Sequence, residues 1–378
     1  MKRKIISILL ALSLVFCSAV FVSADDGALI TAPSGILMEA STGKILYEKN
    51  AHEQRPCASI TKVMTLLLVF EAMDSGKLKL TDTITASEHA ASMGGSDIWL
   101  ETGEKMSADD MIKATVVASA NDAAVALAEH ISGSEEVFVK QMNERAAQLG
   151  MKETVFKNCN GLDEEGHVTS AYDVAVMSRE LMKHEKIFDY TSIWLDTLRG
   201  GETQIVNTNK LLKTYNGITG LKTGTTDDAG CCVSATATRD GMSLIGVVLG
   251  ADTGKQRFAD AAKLLDYGFA NYAIKELKTP EDLPKDIKVE GGMEKRAEIS
   301  CEINGGAVVN KASADEAQYE VSLPDSLEAP VLSGEKVGSV IVKIGGDTKS
   351  FDVFSKSEIA QSSFGLVFKR LFDSLISI

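Results

Sequence analysis

The sequence predicts an α/β domain with an antiparallel sheet, followed by a small all-β domain and a C-terminal amphipathic helix. Three observations indicate this order. Residues 27–277 contain both apolar runs of helical length and strand-like runs. Residues 285–356 consist of short alternating runs separated by glycine pairs. Residues 362–378 have an amphipathic helical pattern. The chain has 378 residues, of which 44% are hydrophobic, so it is long enough for two or three domains with sizeable cores.

The N-terminus has the organisation of a secretory signal peptide. A basic start, Met1 to Lys4, precedes an apolar run from Ile5 to Val22. The small residues of Val22-Ser23-Ala24 then form a cleavage site before two aspartates. Residues 1–24 are therefore predicted to direct export and to be removed. An uncleaved membrane anchor is the alternative.

A hairpin and a set of helices make up the first half of the α/β domain. Two apolar runs, 36–39 and 45–47, flank a glycine-containing turn and predict a β-hairpin. The apolar run from Val63 to Met73 has the length of a buried helix rather than a strand, and Ser59 stands at its start. Further helical patterns open with serines and acidic residues that suit a first turn. They cover residues 107–131 as two segments, 134–149 and 169–183.

The second half of this domain returns to strands. Cys232 to Ala237 and Met242 to Leu249 are strand-like runs separated by Asp240-Gly241, which is a hairpin signal. Arg257 to Gly268 then forms a closing helix that ends at a glycine. Because one hairpin stands early and the other late in the domain, we expect the two to share one antiparallel sheet.

A linker and a small β-sandwich domain are expected next. Residues 279–284 contain two prolines and two acidic residues and have no periodicity. Beyond them, short alternating runs such as Val337 to Ile344 are separated by glycine pairs. We therefore expect the small β-sandwich over residues 285–356.

The last stretch of the chain reads as an amphipathic helix. Phe364, Phe368 and Phe372 recur at helical spacing together with aliphatic residues, and Lys369 and Arg370 fall between them. A helix of this length cannot span a bilayer. It either packs on its own domain or lies in the membrane interface as an anchor. The anchor is the prediction, because so much apolar surface stands at a chain terminus.

The composition limits which partners the protein can bind and which roles its cysteines can have. The formal net charge of −14 argues against nucleic acid as a partner, since phosphate binding requires a basic surface. Five cysteines follow residue 24, and an odd number leaves at least one thiol outside any internal bridge. Their spacings match no disulfide framework and no zinc pattern, so most are interpreted as small buried hydrophobic residues. A pairing of Cys57 with Cys231 or Cys232 stays open.

The first of three chemical motifs is Ser59-Ile60-Thr61-Lys62. A Ser-x-x-Lys match is weak alone, because about one or two are expected by chance in a chain of this length. Two further matches begin at Ser41, in a turn, and at Ser333, in the all-β region. Only Ser59 opens a buried helix, where Lys62 lies one turn on and can reach the serine hydroxyl. Burial lowers the pKa of a lysine and makes it a usable base.

The other two motifs supply a second hydroxyl, an amide and a cation. Ser119-Ala120-Asn121 is alternatively a polar cap between two helices. Lys222-Thr223-Gly224-Thr225 is more specific, because its first three residues are expected by chance in only about one of ten chains of this length. It is either an exposed hairpin edge or an edge strand that pairs with a peptide, with Lys222 and Thr223 or Thr225 holding a terminal carboxylate. Together the motifs predict an acyl-serine enzyme that needs neither histidine nor metal.

Two other hydrolase classes are disfavoured. The five histidines are scattered, and the chain contains neither a Gly-x-Ser-x-Gly elbow nor a His-Glu-x-x-His stretch. A histidine-based serine hydrolase and a zinc peptidase are therefore not expected, and His167 is interpreted as structural. No metal and no other cofactor is predicted.

With these motifs, the chain resembles the low-molecular-mass penicillin-binding proteins, which are serine-type D-alanyl-D-alanine carboxypeptidases. The stretches that support this are residues 55–65, Asn207 to Leu212, and Ala329-Pro330-Val331 with Gly334-Glu335. The resemblance covers nearly the whole chain, including the signal peptide and the amphipathic helix. It implies a β-lactamase/transpeptidase-like catalytic domain, with an antiparallel sheet plus a helical cluster, ahead of the small β domain.

The resemblance also implies roles for the motif residues. Ser59 would be the acylated nucleophile, Lys62 its general base, and Ser119 the relay of a proton to the leaving D-alanine. The backbone N–H groups of Ser59 and Thr225 would form the oxyanion hole. Substrate binding would fall to the remaining motif residues and to one arginine placed after the strands, namely Asn121, Lys222, Thr223, Gly224, Thr225 and Arg257.

The partners implied by the resemblance are outside the cytoplasm. They are the peptidoglycan stem peptide as substrate, β-lactam antibiotics as covalent inhibitors, and the outer face of the cytoplasmic membrane, contacted through the C-terminal helix. The protein would be exported and peripherally anchored. No nucleic acid is implied.

The sequence departs from the family at three places, and alternatives remain. Cys57 stands where proline is frequent, Cys231-Cys232 follow the third motif, and Thr225 stands where some members carry histidine, but no catalytic group is lost. A serine β-lactamase would need a glutamate with a positioned water, for which no signature is present. A DD-endopeptidase would use the same residues on a different amide. A non-catalytic wall-binding protein is the third alternative, against which the intact motifs argue.

Overall fold

The computed structural model describes residues 28–313 and 316–376, so the predicted signal peptide lies outside the described residues. The strands of the first part are β1 (Ser34–Glu39), β2 (Ile45–Lys49), β3 (Thr83–Thr85), β4 (Lys105–Ser107), β5 (Leu195–Leu198), β6 (Thr203–Val206), β7 (Ile218–Thr226), β8 (Gly230–Arg239) and β9 (Met242–Ala251). Its helices are α1 (Lys62–Asp74), α2 (Glu88–Ala91), α3 (Ala108–Lys113), α4 (Asn121–Ser132), α5 (Glu135–Gln148), α6 (Ala171–Leu181), α7 (Ile187–Thr191), α8 (Leu211–Thr214) and α9 (Gly254–Asn271).

The early and late hairpins share one five-stranded antiparallel sheet, as the sequence predicts. The strand order is β2-β1-β9-β8-β7, and Ile36 of β1 lies opposite Val247 of β9. Every residue of β1 is buried, because this strand runs inside the sheet with helices on both faces. Strand β7 is left at the edge of the sheet, where its outer backbone groups can pair with another chain.

Helices cover the two faces of this sheet. Helix α9 packs on one face, where Leu264 and Leu265 join Leu244 and Val248 in a single apolar cluster. A larger cluster on the other face includes the buried residues of α1, α4 and α6. The helix predicted over residues 257–268 begins earlier, because the Thr253 hydroxyl accepts a hydrogen bond from the Gln256 N–H at 3.1 Å and caps a longer helix.

The second part is built from strands, as predicted. They are β10 (Tyr272–Glu276), β11 (Asp286–Glu290), β12 (Arg296–Cys301), β13 (Gly306–Asn310), β14 (Gln318–Ser322), β15 (Ser326–Glu328), β16 (Lys336–Ile344) and β17 (Asp347–Ser355). Six of them form a sheet of order β14-β16-β17-β12-β11-β15, and β10, which directly follows α9, pairs with β13. Lys44 of the first hairpin also reaches this part, where its Nζ lies 2.8 Å from Asp347 Oδ2.

The C-terminal helix α10 (Phe364–Ile376) exposes five large apolar side chains, those of Phe364, Leu366, Val367, Phe368 and Phe372. Phe364, Phe368 and Phe372 are 88%, 59% and 55% exposed and stack on one another along the helix. The Arg370 guanidinium donates a hydrogen bond to the Met293 carbonyl at 3.0 Å, which ties the helix to the β part. Among the helices of the described residues, none has both the length and the apolar character needed to cross a membrane.

Candidate active site

Ser59 lies in a tight turn between two close-packed backbone segments. It belongs to a 3₁₀ turn, Ala58–Thr61, that leads directly into α1. A Cβ atom on Gly161 would lie 2.0 Å from the Ala58 carbonyl oxygen, and one on Gly224 would lie 2.9 Å from the Ser59 nitrogen. Only glycine permits these approaches, so Gly224 of the third motif is the residue that lets β7 abut the serine turn.

Lys62 is fully buried beside the serine. Its Nζ lies 3.0 Å from Ser59 Oγ and donates hydrogen bonds to Asn121 Oδ1 at 2.5 Å and to the Asn160 carbonyl at 2.6 Å. Burial lowers the pKa of Lys62 to about 7, against the opposing influence of nearby groups that include the Asp97 carboxylate. The amine can therefore be neutral near physiological pH.

Ser119 lies at a break between two helices. Helix α3 continues into one π turn, Ala114–Ala118, and the chain then reaches Ser119 with a φ of 62° before α4 begins. A non-glycine residue in this region costs about 1–3 kcal/mol, which the surrounding packing must supply. Lys222 Nζ donates to Ser119 Oγ at 2.7 Å, so the second and third motifs meet here.

Asn121 occupies the junction between the first and second motifs. Its side-chain oxygen accepts from Lys62, and its Nδ2 donates to the Gly94 carbonyl at 2.6 Å. The loop that carries this carbonyl is fixed by the buried Asp122 carboxylate, which accepts hydrogen bonds from the backbone N–H groups of Ile98 and Leu100. The orientation of the Asn121 side-chain amide therefore depends on Asp122, the next residue in the chain.

The edge strand β7 presents a cation and two hydroxyls. Lys222 is buried, and its pKa is held well below the usual range by burial and by the neighbouring charges of Lys62 and Arg257. The Thr223 hydroxyl donates to Thr208 Oγ1 at 2.6 Å, whereas Thr225 is exposed at the end of the strand. An anionic group bound here would favour the charged form of Lys222 and would pair with it in a site largely shielded from water.

Arg257 lies behind the edge strand. Its Nη1 donates to the Gly224 carbonyl and to Thr225 Oγ1, both at 2.8 Å, and to the Cys232 carbonyl at 3.2 Å. Burial lowers the pKa of this guanidinium. Within the described part of the chain, its Nε is buried without a hydrogen-bond partner. Arg257 thus stabilises the backbone of the third motif and keeps a charge close to it.

Several residues in this site are not apparent from the motifs. The Asn160 carbonyl, which accepts from Lys62, is a backbone group and leaves no side-chain signature, although the Asn160-Gly161 pair marks a turn. His167 lies under the serine turn, with Nε2 2.7 Å from Thr61 Oγ1 and Nδ1 accepting from the Lys157 N–H. Burial lowers the pKa of His167 to about 4, so the imidazole is neutral and donates through Nε2.

The cysteines are free thiols in the described residues, so Cys57 pairs with neither Cys231 nor Cys232. Cys57 Sγ lies 3.4 Å from Thr61 Oγ1, and burial raises its pKa to about 11. Cys231 is partly exposed beside Thr225, while the other four are buried. Among residues 28–313 and 316–376, no group of three His, Cys, Asp or Glu side chains is placed to hold a metal ion.

The geometry suits covalent chemistry on a carboxylate-bearing substrate. A serine hydroxyl faces an amine whose pKa is about 7, a second hydroxyl is held by a lysine, and the Arg257 guanidinium lies behind an open strand edge. This arrangement can form and resolve an acyl-serine intermediate without an imidazole.

Comparisons with known proteins identify the family of the chain. A family profile described as D-alanyl-D-alanine carboxypeptidase matches residues 20–253, and one described as penicillin-binding protein 5, C-terminal domain, matches residues 272–361. The D-alanyl-D-alanine carboxypeptidase DacF of Bacillus subtilis is 40% identical over 98% of this chain and 98% of its own length.

Solved structures give the same result for the fold. Penicillin binding protein 5 from Haemophilus influenzae superposes with a TM-score of 0.77 at 30% identity, covering 88% of this chain and 98% of that one. Penicillin-binding protein D2 from Listeria monocytogenes, in an ampicillin-bound form, has a TM-score of 0.58 at 35% identity, covering 64% of this chain and 98% of that one. The predicted transpeptidase-like fold with a C-terminal β part is confirmed.

Proposed function

Because this chain belongs to the D-alanyl-D-alanine carboxypeptidase family of serine peptidases, we propose that Ser59 carries its acyl-enzyme intermediate and that the three motifs divide the remaining tasks. The protein is a hydrolase that removes the terminal D-alanine from peptidoglycan stem pentapeptides and is acylated by penicillin. In this proposal residues 27–277 carry the chemistry and residues 285–356 form the small β-sandwich domain.

The contacts of Lys62 are the observation that carries the assignment. A neutral amine has two N–H bonds and one lone pair. Asn121 Oδ1 and the Asn160 carbonyl accept the two N–H bonds, which leaves the lone pair for the Ser59 hydroxyl 3.0 Å away. Lys62 then takes the Ser59 proton as Oγ attacks the D-alanyl carbonyl, and the oxyanion forms against the N–H groups of Ser59 and Thr225.

The leaving D-alanine needs a proton and a place for its carboxylate. Lys222 Nζ donates to Ser119 Oγ, so Ser119 can pass its hydroxyl proton to the departing amine and take a proton from Lys222 in its place. The terminal carboxylate binds the Lys222 ammonium and Thr223, with Arg257 adding charge from behind the strand and Gly224 keeping the approach open. Asn121 holds the amide of the bound peptide, and water then hydrolyses the ester.

Mass spectrometry of the acylated chain tests this proposal. After reaction with benzylpenicillin, we expect a single slowly decaying adduct on the tryptic peptide of residues 50–62, together with D-alanine release from a stem pentapeptide in the absence of penicillin. A folded sample that forms no adduct and releases no D-alanine would overturn the proposal. Rapid turnover of the penicillin would instead assign a β-lactamase.

Membrane association is the second part of the proposal. We infer that α10 lies in the membrane interface and that the exported chain is anchored peripherally. The support is a row of exposed phenylalanines and the exposed Leu366 and Val367, interrupted by Lys369 and Arg370. Burial of such a face in the headgroup boundary is favourable, and the basic residues suit an anionic surface.

Removing this apolar face is expected to release the protein from vesicles. In the chain without residues 1–24, the double variant Phe368→Ser, Phe372→Ser should lose most co-sedimentation with vesicles of mixed anionic and neutral lipids, because each buried aromatic contributes about 1.5–3 kcal/mol. D-Alanine release from a soluble pentapeptide should be unchanged. Thr348→Ala, on the surface of the β part, is the control and should bind as the parent does. Equal binding of the double variant and the parent contradicts the anchor.

A further inference from the structure

One large aromatic side chain is exposed in a loop of the active site. Trp99 is 79% exposed, more than any other large apolar residue outside α10 in the part of the chain that the structure describes. Single exposed apolar residues are common on protein surfaces. Trp99 differs because its φ is 55°, a left-handed backbone conformation that a bulky residue rarely adopts. Such a conformation is costly and persists only where the surrounding contacts impose it.

Two charged side chains hold the backbone on both sides of Trp99. The Asp122 carboxylate accepts hydrogen bonds from the N–H groups of Ile98 at 3.1 Å and Leu100 at 3.0 Å. The Arg199 guanidinium donates to the Ile98 carbonyl at 3.0 Å and to the Trp99 carbonyl at 3.5 Å. These contacts fix the backbone of Trp99 and leave its indole ring exposed.

Arg199 is itself held in place. It follows β5 at the tip of the β5-β6 hairpin, and its own φ is 54°. Both oxygens of the Glu104 carboxylate accept hydrogen bonds from the guanidinium, at 2.7 Å and 3.1 Å. A bidentate pair of this kind is stronger and more restrictive in geometry than a single hydrogen bond. Two strained residues, Trp99 and Arg199, are therefore in contact and form a rigid support for the exposed ring.

The loop that carries Trp99 also orients a residue of the active site. The Asn121 backbone N–H donates to the Ser96 carbonyl at 2.6 Å, and the Asn121 side-chain oxygen accepts from Lys62. Lys62 Nζ in turn lies 3.0 Å from Ser59 Oγ. Trp99 follows Ser96 by three residues, so their Cα atoms lie within about 11 Å of each other. The indole ring therefore stands near the path of a substrate whose reacting bond lies at Ser59.

The length of the substrate agrees with this distance. In the proposed function the terminal D-alanyl bond of the stem peptide lies at Ser59, and the other end of the stem is attached to a sugar of the glycan strand. Four residues separate that bond from the sugar, and four extended residues span at most about 14 Å. The sugar is therefore held at a distance from Ser59 that is similar to the reach from Ser96 to Trp99.

The residues around the ring favour a sugar over a protein or a lipid. Ser96, Glu101 and Thr102 are exposed and flank Trp99 in the sequence. A pyranose can place its C–H face on the indole while its hydroxyl and acetamido groups bond to the neighbouring polar side chains. A protein partner would require a wider apolar patch, and the Glu101 carboxylate disfavours an anionic lipid surface.

We propose that Trp99 binds the glycan strand and makes the enzyme prefer stem peptides that are still attached to their sugar. The inference rests on the proposed function, because it names the part of the substrate that lies beyond the stem peptide. The indole stacks on the hexosamine that carries the stem, while the acylation step at Ser59 stays the same. The contribution of the ring should therefore appear in kcat/KM for the sugar-bearing substrate.

Two matched substrates test this preference on the chain without residues 1–24. One is a free stem pentapeptide, and the other is the same pentapeptide attached to the N-acetylated disaccharide of the glycan strand. In Trp99→Ala, the ratio of kcat/KM for the sugar-bearing to the free substrate should fall about tenfold, which corresponds to about 1.4 kcal/mol. Trp99→Phe retains a flat aromatic ring and should keep most of the preference.

The second tryptophan of the chain provides the control. The Trp194 ring is covered by Lys213, whose Nζ lies 4.4 Å from the ring centroid, so Trp194→Phe should have the same ratio as the parent. An unchanged ratio in Trp99→Ala overturns the proposal. An equal fall of kcat/KM for both substrates also overturns it, because the ring would then contact the peptide and not the glycan.

Tryptophan fluorescence separates failure of this proposal from failure of the proposed function. In Trp194→Phe, Trp99 is the one remaining tryptophan, and its emission should shift to shorter wavelength when peptide-free glycan oligomers are added, because stacking shields the ring from water. Trp99→Phe should show no such shift. Absence of the shift in a chain that releases D-alanine overturns the glycan proposal alone. A shift in a folded chain that releases no D-alanine from either substrate overturns the proposed function and supports glycan binding by Trp99.

Discussion

Replacing Ser59 with alanine is expected to abolish the penicillin adduct and to lower D-alanine release by about 10⁴-fold or more, as removal of an activated nucleophile does elsewhere. The substitution removes one oxygen and leaves the turn that is held between Gly161 and Gly224 unchanged. Folding should therefore be retained, and the loss should lie in acylation alone. Intact mass after benzylpenicillin and a D-alanine release assay on the same samples measure both quantities.

The chain contains its own controls for this substitution. Ser41 and Ser333 also begin Ser-x-x-Lys sequences, but the Ser41 hydroxyl donates to Glu39 at 2.9 Å and the Ser333 hydroxyl to the Lys356 carbonyl at 3.3 Å. Neither serine precedes a buried helix, so Ser41→Ala and Ser333→Ala should acylate at the rate of the parent. An adduct that survives in Ser59→Ala, or that disappears in either control, assigns the nucleophile elsewhere.

The sequence predicts the elements of the catalytic part better than their junctions. The two hairpins are predictable because apolar runs flank their turns, and the shared sheet follows from their positions in the domain. The pairing of β10 with β13 is different. The two strands are separated by about thirty residues, and nothing in the local pattern of Tyr272–Glu276 selects Gly306–Asn310 as the partner.

In the active site, too, contacts within one element are predictable from the sequence, whereas contacts between distant segments are not. Ser59 and Lys62 are predictable because one helical turn brings them together. The contact between Lys222 and Ser119 depends instead on a left-handed residue after a π turn, which propensity does not foresee. Likewise, the hydrogen bond from Arg257 to the Gly224 carbonyl arises from packing of α9 on the sheet, so the sequence marks the arginine only by its position after the strands.

Replacing Lys62 with methionine is expected to slow acylation by about 10²–10⁴-fold, the usual contribution of a general base. Methionine matches the buried length of the lysine stem, so the main change is loss of the amine that faces Ser59. In the parent, the second-order rate of acylation should rise with pH through about 7, because burial lowers the pKa of Lys62 to that value and only the neutral amine has a free lone pair. Below this pH the rate should fall about tenfold per unit.

The variant and the pH profile together identify the base. Lys62→Met should have no ascending limb near pH 7, since the group that titrates there is gone. A second variant, Asp97→Asn, should keep the ascending limb of the pH–rate profile but shift it. The Asp97 carboxylate favours the charged form of Lys62, so Asp97→Asn should move the limb of an otherwise active enzyme to lower pH. An unchanged limb in Lys62→Met would transfer the base function to another group, whereas its loss there and its shift in Asp97→Asn would place the titrating proton on Lys62.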